Sequence, residues 1–248
     1  MTRPRLDLVA APVGAGDLVV LAHGGQEHSL EEPHDWRHPL LRMWPFAAAA
    51  RTAAPRARIG LLRYRYRGWN GAEAHPVADL RAVLAGLGDE VERVALVGHS
   101  MGGRAVLSAA DPRVVGVLAM APWVPEGEPV ADLGGRTVVL AHGNRDRTTD
   151  PRLTAEFAAR VRQSGVPVAL FDATGEEHAL LARHGDWEDL VRRFVRTAFG
   201  LDRDPTVDAA LSIDPGHGAD SLPAWSRRRG ALGAVATITA TRLRHRVL

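Results

Sequence analysis

What most restricts the fold of this chain is an alternation of short, unbroken apolar runs with segments of helical periodicity. Residues 17–22 (DLVVLA), 59–64, 93–97, 114–119, 137–141 and 168–172 read as strands, and they lack the in-out alternation of a half-exposed sheet. Runs of this kind suit strands buried on both faces of a parallel sheet. Between them, the pattern predicts helices over residues 77–87, 100–110, 151–164 and 181–199, the last interrupted at Gly185. In the first of these, Val77, Leu80, Val83, Leu84 and Leu87 fall on one helical face, and Pro76 suits a first turn. Residues 40–54 are apolar and alanine-rich, but Pro45 makes the first part of that stretch an ambiguous helix. The sum is an α/β chain with a mostly parallel sheet covered on both sides. Right-handed crossovers then collect the loops that follow the strands along one edge.

The alternation ends near residue 199. Residues 1–199 are therefore read as the catalytic domain and 200–248 as a linker or tail. Residues 200–229 are rich in Asp, Pro, Gly and Ser, and 230–248 hold a possible short helix bearing Arg242, Arg244 and Arg246. A length of 248 residues allows one substantial core, and 46% hydrophobic with 24% charged residues is globular composition. The chain has no cysteine, which removes disulfides, thiolate nucleophiles and thiolate metal ligands and fits a cytoplasmic setting. Asp7, Pro12 and Gly14 break up the opening residues as a signal peptide. No apolar window reaches the length of a membrane span, so no stable membrane insertion is expected. The isoelectric point near 9.8 does not imply a nucleic-acid partner, because the arginines are scattered and 29 acidic residues oppose them.

Chemistry enters at Gly98-His99-Ser100-Met101-Gly102, a G-x-S-x-G placed directly after a strand and opening a helix. The glycines relieve crowding where the chain turns sharply, so the Ser100 hydroxyl stands exposed at the apex. A serine needs a base to become a nucleophile. His178, just past the strand 168–172, is the expected base because an imidazole accepts and returns a proton near neutrality. Asp146, following the strand 137–141, is the expected orienting carboxylate, whereas Asp150 before Pro151 reads as a helix cap. His99 is read as a supporting residue. The backbone N–H of Met101 at the helix start is an expected oxyanion donor, and the glycine backbone of His23-Gly24-Gly25 supplies a second, from Gly25 with Gly24 as the alternative. His142 and the histidines at 23, 28, 34 and 38 show no metal-ligand spacing, so no metal or other cofactor is expected.

With LAHGG at 21–25, GHSMGG at 98–103, HGNRD at 142–146 and GEEH at 175–178, the chain resembles the α/β-hydrolase superfamily over roughly residues 15–199. The resemblance implies a three-layer fold with about seven or eight strands. It also implies Ser100, Asp146 and His178 as nucleophile, acid and base, with the oxyanion hole at Met101 and the residue after the first His-Gly. The amino-terminal hairpin of that fold is weakly marked here, with a faint run at 6–10, so a shortened sheet is an open expectation. Many relatives carry a helical lid after the strand matching 114–119; here APWVPEGEPVADLGG is too short for one. The site is expected to be fairly open, walled by residues 26–39 and by Trp44, Trp69 and Trp123 as candidate pocket residues. The implied activity is hydrolysis of small carboxylic esters through an acyl-enzyme. Thioesters, lactones, amides or acyl transfer are alternatives on the same triad, and a non-catalytic binding protein of the same fold is a second class. The expected partner is a small-molecule acyl substrate.

Overall fold

The structure is a computed structural model that describes residues 3–34, 38–109, 111–227, 230, 233 and 235–240. Its strands are β1 (Arg5–Ala10), β2 (Asp17–Ala22), β3 (Arg58–Arg63), β4 (Arg93–His99), β5 (Val114–Met120), β6 (Thr137–Gly143) and β7 (Val168–Ala173), followed by the two-residue strands β8 (Leu211–Ser212) and β9 (Asp220–Ser221). They form one sheet in the order β1-β3-β2-β4-β5-β6-β7-β8, with β9 also on β7. The pairs from β3 through β7 are parallel, and β1 and β8 run antiparallel to their neighbours.

The unbroken apolar runs are explained by two cores. In β2, Val19 and Leu21 enter one hydrophobic cluster while Leu18, Val20 and Ala22 enter the other, as the two-residue repeat of a strand requires. The first cluster is closed by α2 (Met43–Ala53) and α6 (His184–Ala198), and the second by α3 (His75–Ala85), α4 (Met101–Leu107) and α5 (Pro151–Gln163). Pro45 does not break α2. It is the third residue, where its missing N–H has no intrahelical acceptor to lose. A four-residue helix α1 (His38–Leu41) precedes it.

Several expectations are corrected. The sheet is not shortened at the amino end, because β1 joins as an edge strand on β3, with Leu6 opposite Leu62 and a bulge between Leu8 and Ala10. Its sequence is weakly marked because an edge strand is only half buried. The helix after the serine stops at Leu107, and Ala110 lies outside the described residues. Helix α6 starts at His184, not 181; Gly185 belongs to its first turn, and the preceding Ala182 and Arg183 N–H groups bond to the Glu176 side chain. Residues after Gly200 are not merely a linker. Asp204 caps the helix α7 (Pro205–Ala210) by accepting from Thr206 and Val207 N–H, Val207 and Leu222 are buried, and β8 and β9 extend the sheet. Residues 235–240 are helical; Arg242, Arg244 and Arg246 lie outside the described residues.

The carboxyl ends of β2, β4, β6 and β7 thus lie along one edge of the sheet, each followed by a loop carrying a candidate residue. Residues 121–136, between β5 and β6, hold no helix, so this connection supplies no helical cap. No helix among the described residues is long and apolar enough to cross a membrane.

Candidate active site

Ser100 sits between β4 and α4 with φ 58° and ψ −121°, a conformation that costs a non-glycine residue on the order of 1–3 kcal/mol. The surroundings hold it there. Ser100 N–H donates to Met120 C=O at 3.1 Å, and Ser100 C=O accepts from Trp123 N–H at 3.1 Å. A Cβ on Gly102 would overlap the carbonyls of Ala22 and His23, and one on Gly98 would overlap the Gly102 backbone. Gly102 is therefore required by the close approach of α4 to the end of β2, and Gly98 by the close approach of α4 to β4.

His178 Nε2 lies 2.9 Å from Ser100 Oγ, and His178 Nδ1 lies 2.7 Å from Asp146 Oδ2. Since a carboxylate only accepts, Nδ1 carries the proton and Nε2 is left to accept from the serine hydroxyl. This is a Ser-His-Asp catalytic triad, and the arrangement is that of a serine hydrolase.

The Asp146 side chain is fully buried. Burial, the largest influence, pushes its carboxyl pKa up. Hydrogen bonds from His142, His178 and the N–H groups of Thr149 and Thr148 outweigh it and hold the group well below the usual carboxylate range. Thr149 Oγ1 adds a donor to Oδ2 at 2.8 Å. His142 Nε2 reaches the same oxygen at 3.1 Å, while its Nδ1 meets Thr154 Oγ1 at 2.8 Å.

Three more residues shape the site. His99 Nε2 donates to the His178 carbonyl at 2.9 Å, and burial, reinforced by the charges of Arg42 and His178, drives its pKa well down, so the ring is neutral. His23 is likewise neutral: burial, with a smaller contribution from the charge of Arg63, outweighs its bond to Gly24 C=O at 2.7 Å and lowers its pKa to about 4. Glu176 is buried and accepts from the N–H groups of Glu177, Ala182 and Arg183 and from Trp187 Nε1, which fixes the loop that carries His178.

Gly24 and Gly25 lie beside the nucleophile. A Cβ on Gly24 would stand 3.2 Å from Ser100 Cβ, and one on Gly25 would overlap Arg67 C=O and the Met101 side chain. The Met101 N–H opens α4 and has no intrahelical acceptor. Two cavities flank the triad. The smaller, of about 150 Å³, is lined by Gly24, Gly25, Pro33, Pro39 and Leu40 among others; the larger, of about 750 Å³, is lined by His178, Asp146, Thr148, Arg42, Arg145 and Arg147 among others.

None of the three candidate tryptophans lines either cavity. Trp69 is buried beneath the Arg104 guanidinium at 3.7 Å and meets Trp123 edge to face at 6.0 Å, and Trp44 packs on the α2 side core. Of the wall at 26–39, residues 35–37 lie outside the described residues. Sequence reasoning missed His142, Thr149 and Glu176 as parts of the site. The spacing of His142 from Asp146 was visible, but nothing in one sequence shows that both turn to the same interior point.

The model of the alpha/beta hydrolase family matches residues 19–247. The chain belongs to that family. Among solved structures, this alpha/beta hydrolase is similar to Est1E from Butyrivibrio proteoclasticus (15% identity, TM-score 0.53, covering 79% of this chain and 93% of the other). It is also similar to XC6422 from Xanthomonas campestris, described as a serine hydrolase without lid (18% identity, TM-score 0.52, 79% and 87% covered), and to the Pyrococcus furiosus esterase Pf2001 (17% identity, TM-score 0.54, 74% and 83% covered). At such identities the likeness shows the alpha/beta hydrolase fold alone. No curated protein sequence matches the chain.

Proposed function

We propose that this protein hydrolyses small carboxylic esters through an acyl-enzyme on Ser100. The observation that carries this reading is the unbroken chain from Ser100 Oγ to His178 at 2.9 Å and on to Asp146 at 2.7 Å. As Oγ bonds to the ester carbonyl carbon, its proton passes to His178 Nε2. The N–H groups of Met101 and Gly25 receive the oxyanion. The carbonyl–oxygen bond to the alcohol then breaks as His178 returns the proton to the departing alkoxide, and water activated by the same histidine releases the acid. The residues need no cofactor for these steps.

The smaller cavity, beside Gly25, suits the acyl group. At about 150 Å³ it matches a benzene-sized guest, which favours acyl chains of up to about six carbons. The name of one structural neighbour, the Pyrococcus furiosus esterase Pf2001, agrees with an ester as substrate. The absence of cysteine supports a reducing, cytoplasmic setting.

The test is hydrolysis of p-nitrophenyl esters of two to twelve acyl carbons by the native protein and Ser100→Ala. The expected result is a short-chain optimum and a drop of about four to six orders of magnitude in kcat for the variant. A folded native protein that neither turns over these esters nor is acylated at Ser100 by an organophosphonate defeats the proposal.

A further inference from the structure

The larger cavity is lined by the triad base His178, whereas Gly24 and Gly25 line the smaller one. His178 Nε2 must hand its proton to the leaving oxygen, so the departing group lies beside His178, a residue that lines this cavity. The walls there carry three cations, Arg42, Arg145 and Arg147, with Asn144 and Thr148 as neutral donors and Glu177 and Asp146 as the opposing charges, the latter already bonded within the triad.

These arginines differ from most others in the chain. Arg65, Arg93, Arg104, Arg113 and Arg183 each spend the guanidinium on a carboxylate. Arg42, Arg145 and Arg147 make no side-chain hydrogen bond or ion pair among the described residues. Arg42 matters most, since it is half-buried at the start of α2. Burial lowers its pKa by more than nearby Glu176 raises it. The carboxylates around it are already engaged: Glu176 by four N–H donors, and Asp146 by His142, His178 and Thr149. A half-buried guanidinium with no carboxylate hydrogen-bonded to it, lining an open cavity, is a receptor for a carboxylate or phosphate.

We infer that the larger cavity binds an anionic leaving group, so that the preferred substrate is a short-chain ester of an alcohol bearing a carboxylate or phosphate, held by Arg42 with Arg145 and Arg147 at the rim. This rests on the ester reading above for its chemistry, in which the C–O bond breaks and His178 protonates the anion-bearing alkoxide. Once seated, the anion fixes the leaving oxygen beside Nε2.

The experiment compares 4-acetoxybenzoate with its neutral counterpart 4-acetoxybenzamide, and both with 4-acetoxyphenyl phosphate. In the native protein kcat/KM for the anionic esters is expected to exceed that for the amide by about tenfold, chiefly through KM, and to lose that advantage as salt is raised. The carboxylate and phosphate arms show which anion the cavity prefers. In Arg42→Met the ratio is expected to collapse toward one and in Arg42→Lys to be partly restored. Arg145→Gln/Arg147→Gln, confined to exposed side chains, is expected to lower it about threefold and serves if Arg42→Met does not fold. Binding of 4-hydroxybenzoate to Ser100→Ala, followed by calorimetry, reads the cavity without turnover. Equal kcat/KM for charged and neutral esters, or a preference that survives the arginine variants, overturns the inference and leaves the ester reading standing. Arginine-dependent binding of 4-hydroxybenzoate with no turnover of any ester supports the cavity and removes the ester reading.

Discussion

Asp146 concentrates what the active site asks of single residues. Its folded-state pKa is depressed, so the ionised carboxylate stabilises the fold. That contribution is fully present above the unfolded value of about 3.9 and is lost as pH falls from there through the folded value. Asp146→Asn removes it and also gives His178 the wrong tautomer. The variant is expected to lose about 10⁴ in kcat, and its urea midpoint, lower than the native one at pH 7, is expected to converge on it as pH drops below about 4. A gap that stays constant with pH contradicts the assignment. The triad was legible because Ser100, Asp146 and His178 each follow an apolar run by a few residues, and that placement survives without coordinates. His142, Thr149 and Glu176 were not, since a polar residue that ends up buried against a carboxylate looks in sequence like one that ends up in solvent. The tryptophans are ambiguous for the opposite reason: a large ring near a site loop is as good a brace as a wall for substrate, and Trp69 and Trp123 pack against Arg104.

Among the elements, α4 shows how a short helix depends on what lies beneath its first turn. Gly102 lets it rest on the carbonyl end of β2, where the Ala22 and His23 oxygens leave no room for a methyl group. Gly102→Ala is expected to cost about 1–3 kcal/mol in folding stability and to lower kcat more than tenfold, because lifting α4 moves the Ser100 hydroxyl from His178; urea titration and steady-state kinetics on the same preparation check both. Central strands were readable because burial on two faces writes a continuous apolar run. Elements at the margin were not. Strand β1 is only partly buried along its length, and β8 and β9 are held by backbone pairing with β7 that two residues of sequence cannot signal.

For the molecule as a whole, the segment after Gly200 is bound in by interior charges. Arg183 donates to the Leu222 and Pro223 carbonyls, Asp186 accepts from Ser226 N–H, and Arg162 donates to the His217 carbonyl. Removing that segment leaves buried Arg162 and Arg183 short of acceptors, at a penalty of about 1–3 kcal/mol for each polar group stranded. A chain ending at residue 200 is expected to melt at least 10 °C lower than the full chain, as followed by calorimetry; an unchanged melting temperature would make the segment dispensable. Between β5 and β6, the sixteen residues from 121 to 136 form no helix. An enzyme with nothing to displace needs no oil–water interface to switch it on. Its rate follows the concentration of dissolved ester and saturates there, with no upward break where the substrate begins to form droplets.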